Sequence, residues 1–359
     1  MNWNKLTLVA LLTFFILVGG RYTPAQAQMQ NWSAATSSAI AASQRGEFAA
    51  AQTLYKEAIE MQKQTLGADD PAVATSLNNL AVSYQDQSLY PQAEQAYLQA
   101  LSILEKNPAQ EPLTALTLNN LAALYHDEGA DAKAEPLYKQ ALAIWEKPVN
   151  KNTANETVSV VGLADIYQAR NEDAKAEPLY LRALTLWNEQ GKSDSMEAAD
   201  ALFHLGEMYH SRSNNTDAAP MYARALTIWT NTAQTTSPEA ITAQATLGEI
   251  YRAEGKYTEA ESLLAEALKA TELKMGADTL ETATNMSHLA LLYYCESKYD
   301  AAEPLYKKAL EIRERNLGAD DPTVQQTKQF YAALLRQEGR KAEAQKLEAQ
   351  ASANTAAHL

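Results

Sequence analysis

Apolar residues along most of this chain return at three- and four-residue intervals, in stripes that stop, turn and begin again. Leu77, Leu80, Ala81 and Tyr84 stand at i, i+3, i+4 and i+7. After a break at Asp86 to Leu89, a second stripe of Ala93, Tyr97, Ala100 and Leu101 follows. This spacing puts each set on one face of a helix of period about 3.6, so the pair predicts two amphipathic helices joined by a short turn. The alanines let the two helices approach closely, and the larger side chains fill the space between them.

The hairpin recurs. Tyr55, Tyr97, Tyr138, Tyr180, Tyr222, Leu264 and Tyr306 are 42 residues apart at every step except Tyr97 to Tyr138, which is 41. The run Ala-Glu-Pro-Leu-Tyr surrounds three of these anchors, at 134–142, 176–184 and 302–310. A fixed period of roughly 20–50 residues marks a stacked-repeat architecture, in which one unit buries its apolar face only against its neighbours. The connection between hairpins repeats as well: Leu66-Gly67-Ala68-Asp69-Asp70-Pro71 returns at 317–322, and a drifted version starts at Met275-Gly276-Ala277-Asp278. There the glycine ends one helix in a left-handed conformation, Asp70 caps the next, and Pro71 sits where no amide donor is needed.

Units fall near 32–66, 71–106, 112–147, 155–188, 196–230, 238–273, 280–316 and 322–351. The end units depart from the pattern. Ala35, Ser38, Ala39 and Ala42 are small, and the last unit has Lys328 and Glu348 at positions that are apolar elsewhere. Terminal repeats face water on one side, which predicts this drift. Residues 28–351 form the repeat domain and 352–359 a flexible tail, leaving no room for a separate catalytic domain.

The residue pattern resembles the tetratricopeptide repeat, and the 42-residue period with its Leu-Gly-Ala-Asp-Asp-Pro linker is similar to the kinesin light chain variety. Leu77, Leu80, Ala81, Tyr84, Ala93, Tyr97 and Ala100 carry the match in the second unit. The third repeats it with Leu118, Leu121, Ala122, Tyr125, Ala134, Tyr138 and Ala141. The sixth unit departs, with Gln244 and Leu264 where leucine and tyrosine are expected. The resemblance implies an all-α fold, a right-handed superhelical solenoid of about eight helical hairpins. It also implies a non-enzymatic scaffold that binds an extended peptide or protein partner in a concave groove lined by the first helix of each hairpin.

That groove face is rotated about one residue from the leucine stripe. The partner-binding residues expected on it are Asn78, Asn119, Asp165, Phe203, Glu207, His210, Glu249, Arg252, Leu291 and Tyr294. Asp165, Glu207 and Glu249 are 42 apart and predict an acidic ladder in the middle units. The motor-binding heptads of kinesin light chains are absent, which weakens the alternative of a cargo adaptor. An enzyme with a site built into the groove is a second alternative.

The first 27 residues differ from the rest. Lys5 precedes an apolar run from Leu6 to Val18, and Ala25-Gln26-Ala27 offers the small residues of a signal-peptidase site. The run is short of the about 20 residues a membrane span needs, so residues 1–27 read as a signal peptide, with a retained anchor as the alternative. The protein is then exported, periplasmic or secreted, with no membrane insertion after cleavage. The net charge of the chain is −14, and losing Lys5 and Arg21 with the signal leaves −16. Such a surface disfavours nucleic acid as a partner, because phosphate binding needs clustered lysine and arginine.

Little else carries chemistry. Cys295 is the one cysteine, which excludes an intrachain disulfide; near the end of a helix it reads as a small buried thiol. Gly191-Lys192-Ser193 lacks the first glycine of a phosphate loop, since position 186 is leucine. The histidines form no i, i+4 pair, so no metal and no cofactor is expected. Trp145, Trp187 and Trp229, also 42 apart, each follow an anchor tyrosine by seven residues. They share its packed face, which predicts a buried aromatic column rather than an exposed stacking ridge.

Overall fold

The computed structural model describes residues 24–355, and over them the chain is built from α-helices and short 3-10 turns, with no strand among the described residues. The chain forms two compact units, one ending at Asn150 and one beginning at Lys151. The first contains α1 (Pro24–Gln44), α2 (Phe48–Leu66), α3 (Pro71–Gln85), α4 (Tyr90–Glu105), α5 (Glu111–Asp127) and α6 (Asp131–Trp145). The second contains α7 (Thr153–Ala169), α8 (Asp173–Glu189), α9 (Met196–Ser211), α10 (Asn215–Asn231) and α11 (Pro238–Ala253). It continues with α12 (Tyr257–Met275), α13 (Leu280–Cys295), α14 (Tyr299–Leu317), α15 (Pro322–Gln337) and α16 (Lys341–Thr355).

Each odd-numbered helix packs on the even one after it, giving three hairpins in the first unit and five in the second. Within a unit each hairpin then stacks on the next, α2 on α3, α4 on α5, and α8 on α9 through to α14 on α15. The apolar run Leu6 to Val18 of the expected signal lies outside the described residues, as do the last four residues of the expected tail. Helix α1 starts at Pro24, ahead of Gln28, and α16 continues to Thr355, beyond the expected end of the last unit at 351.

The anchors are the core of each hairpin: Tyr55, Tyr97, Tyr180, Tyr222, Leu264 and Tyr306 are all buried. The small residue of the first helix faces them. A methyl group added at Gly206 would lie 2.8 Å from the Tyr222 ring, and one at Gly248 would lie 2.7 Å from Leu264. The glutamate of the repeated motif binds the next hairpin. Glu177 accepts hydrogen bonds from Tyr209 and Arg212, Glu261 from Tyr293 and Lys298, and Glu303 from Tyr331 and Arg340. In the first unit Glu94 accepts from Tyr125 at 2.5 Å.

Turn chemistry repeats in register too. The turn inside each hairpin holds one residue at positive φ, namely Gly46, Ser88, Gly129, Asn171, Ser213, Gly255, Ser297 and Gly339. Between hairpins, Asp70 accepts from the Ala72 amide at 2.8 Å and Asp321 from that of Thr323 at 2.7 Å, with Pro71 and Pro322 in the first turn. Gly67 and Gly318 have φ of 99° and 84° with extended ψ, a region that essentially only glycine occupies.

Two expectations are corrected. Lys328 does not face water: it is 3 % exposed, and its stem carries the ammonium to Glu314 on α14 at 2.8 Å. Cys295 is exposed rather than buried, because it ends α13 on a face where Asp127, Ala169, Ser211 and Ala253 are exposed in their own helices. Its sulfur lies 3.8 Å from Arg252 Nη1.

Candidate partner-binding face

The first helices of neighbouring hairpins touch one another, α3 with α5 in the first unit, and α9 with α11, α11 with α13 and α13 with α15 in the second. The expected binding stripe runs along these contacts, so part of it is consumed by packing. Asn78 is buried, and its side-chain oxygen accepts from Asn120 one hairpin on at 2.9 Å. Asn119 is buried as well. Phe203 is turned inward against Tyr222 and Trp229, at ring distances of 6.0 and 5.9 Å. Asn78 joins two hairpins and Phe203 packs inside its own, and all three residues, being buried, offer little surface to a partner.

The others remain reachable. His210 is exposed, with Nδ1 2.9 Å from Asn215 Oδ1. Leu291 and Tyr294 are half-buried, and the Tyr294 ring lies 5.8 Å from that of Tyr299. The three acids of the expected ladder take equal positions on α7, α9 and α11, but each is engaged. Asp165 accepts the Tyr180 hydroxyl at 2.6 Å, and Glu207 accepts that of Tyr222. Burial, with the adjacent carboxylate second, pushes both phenols well above their usual range. Where Leu264 replaces the tyrosine, Glu249 turns to Arg252 instead and takes bonds of 3.2 and 2.9 Å from its guanidinium. The ladder is therefore two negative rungs and one neutralised rung.

A carboxylate that does not repeat joins them. Asp200 on α9 is half-buried, and burial first, then Glu239, Glu197 and Asp165, push its carboxyl up to about 6. Four residues on, His204 stacks on Tyr180 with centroids 5.5 Å apart, and burial lowers its pKa in spite of the surrounding acids. The sequence alone gives no periodic signal for Asp200, since the equivalent residues are Val158 and Thr242. Among the described residues no group of three histidine, cysteine, aspartate or glutamate side chains is placed to hold a metal ion, and no helix is long and apolar enough to cross a membrane.

Tetratricopeptide repeat models match residues 32–106, 114–151, 156–231, 239–315 and 281–356. The chain belongs to the tetratricopeptide repeat family. No match was found among curated proteins. Of solved structures, pilF of Pseudomonas aeruginosa is 16% identical, with 72% of this chain and 97% of that one covered at a TM-score of 0.53. A signal transduction ATPase with a tetratricopeptide repeat sensor, from Pyrococcus horikoshii, is also 16% identical at 0.53; 85% of this chain is covered but only 44% of that one. Nearly identical repeats of a candidate kinesin light chain from Podosopora anserina are 19% identical, covering 57% and 97% at a TM-score of 0.44. These likenesses concern the fold.

Proposed function

We propose that this protein is an exported, non-enzymatic scaffold that holds an extended, cation-bearing segment of a protein partner against the first-helix face of its second unit. The observation that carries the reading is the gathering of Asp165, Asp200 and Glu207 on α7 and α9, where burial and the neighbouring acids raise Asp200 to about 6. Lysine or arginine side chains of a partner complement such a face, steering encounter and selectivity more than total affinity. Export rests on Lys5, the Leu6 to Val18 run and Ala25-Gln26-Ala27. The native protein is expected to begin at Gln28 on N-terminal sequencing; an intact Met1 in the soluble cell fraction refutes export.

Because Asp165 and Glu207 accept tyrosine hydroxyls, the binding test uses amides, which still accept. Asp165→Asn with Glu207→Gln is expected to weaken binding of partners captured from the cell envelope, and to flatten the dependence on salt that screening imposes on exposed charges. Unchanged affinity together with an unchanged salt dependence removes the acidic face from the binding site.

A further inference from the structure

The tryptophan column does not end at Trp229. The same position of later second helices holds Thr271 and Arg313, each buried like the indoles. Within the second unit, fourteen residues after each member, the next hairpin supplies a buried residue. Trp229 is followed by Ala243, bulky and small in one apolar cluster, and Trp187 by the equally buried Ala201. Thr271 is followed by Asn285, whose amide donates to its hydroxyl at 2.8 Å. Arg313 is followed by Thr327, whose hydroxyl accepts from Nη1 at 2.6 Å, while Ser287 and Thr284 accept from the same guanidinium at 3.0 and 3.1 Å. Among the described residues its hydrogen-bond partners are three hydroxyls, and the Asp321 carboxylate acts on it only through its charge. One residue past Thr327, the buried Lys328 reaches Glu314 across the same joint.

The two kinds of joint respond differently to opening. Separating α10 from α11 exposes an indole to water, the costliest side chain to expose by area. Separating α14 from α15 returns a guanidinium and an ammonium to water, and the hydration they regain offsets much of the hydrogen bonding and ion pairing that the joint gives up. Tyr306 with Phe330 and Leu334 remains as the apolar part that holds the joint closed. In a stack, each joint contributes separately to stability, so a weak one can open alone.

We infer that α15 and α16 form a detachable end piece, opening at the Arg313 and Lys328 joint while the tryptophan-packed hairpins stay closed. Opening uncovers the Tyr306 face of α14, giving the second unit a surface that is hidden in the closed form.

Hydrogen exchange on the full chain reads this directly. Amides of α15 are expected to exchange at least tenfold faster than those of α9 to α11. Arg313→Trp combined with Thr327→Ala installs the indole and alanine pairing at this joint, and is expected to slow exchange in α15 about tenfold without changing α9 to α11. Should that double variant fail to fold by circular dichroism, Lys328→Met replaces it, methionine being the residue at the equivalent position 286; the same slowing is expected. Equal protection of α15 and α9 to α11 in the parent, or a folded variant with unaltered exchange in α15, overturns the proposal.

Discussion

Replacing Trp229 by alanine is expected to remove about 3–5 kcal/mol of stability, the range for deleting a buried large aromatic side chain. The indole is 1 % exposed and packs beside Phe203, with Ala243 and Leu247 of α11 in the same cluster. Two losses combine: the apolar area returns to water, and a cavity remains because α10 and α11 are held apart by the side chains around it. A joint in a stack belongs to the two hairpins that it connects, so the loss is expected to fall on both of them, α9 with α10 and α11 with α12. Urea unfolding followed by circular dichroism measures it, since the substitution also removes a fluorophore. A loss below roughly 1 kcal/mol, the scale of a surface site, contradicts the packed arrangement.

A second substitution is expected to stabilise. Asp200 titrates near 6 in the folded chain, against an ordinary value of 3.8, mainly because it is half-buried and next because Glu239, Glu197 and Asp165 surround it. Between these two values the folded state holds a proton that the unfolded state has lost, so stability from this group is fully present below about 4 and is lost as pH rises through about 6. At neutral pH the ionised carboxylate opposes folding. Discounted for the solvent that still reaches it, the penalty is about 1 kcal/mol. Asp200→Asn is therefore expected to be the more stable protein at pH 7.5, with the advantage shrinking towards pH 4.5. His204 works in the opposite sense: its lowered pKa means that acidification costs stability as it is forced to charge. The difference between variant and parent largely cancels that contribution. Urea midpoints at the two pH values decide the matter, and an advantage of the same size at both would show that Asp200 is not the titrating group.

The fold was legible where the cause is local and repeated. Helix stripes, the anchor tyrosines and the caps at Asp70 and Asp321 depend on neighbours a few residues away, and the structure places them as expected. The column through Trp187 and Trp229 was legible only while the residue type stayed the same. Its continuation through Thr271 and Arg313 is carried by position alone, because the next hairpin changes with it from alanine to asparagine and threonine. The hairpin turns hide in the same way: Ser88, Asn171, Ser213 and Ser297 share a backbone conformation with glycines but no side chain. For the binding face, polarity misled. Asn78 reads as solvent-facing, yet a partner amide one repeat on, Asn120, donates to its side-chain oxygen and so lowers the cost of burying it. Asp200 was invisible because its environment is assembled from three helices and no repeat announces it.

The bonds that build the stack join near neighbours in the chain. Glu94 and Tyr125 are 31 residues apart, Glu177 and Tyr209 are 32, and Asn78 and Asn120 are 42. Joining residues so close in sequence asks for little loop-closure entropy, and topologies dominated by local pairings fold fast. A chain that emerges N-terminus first, from the ribosome or from a translocation channel, can finish each joint as soon as one more hairpin is free. Assembly then follows the order of emergence, and no early hairpin waits for the C-terminus to find its place.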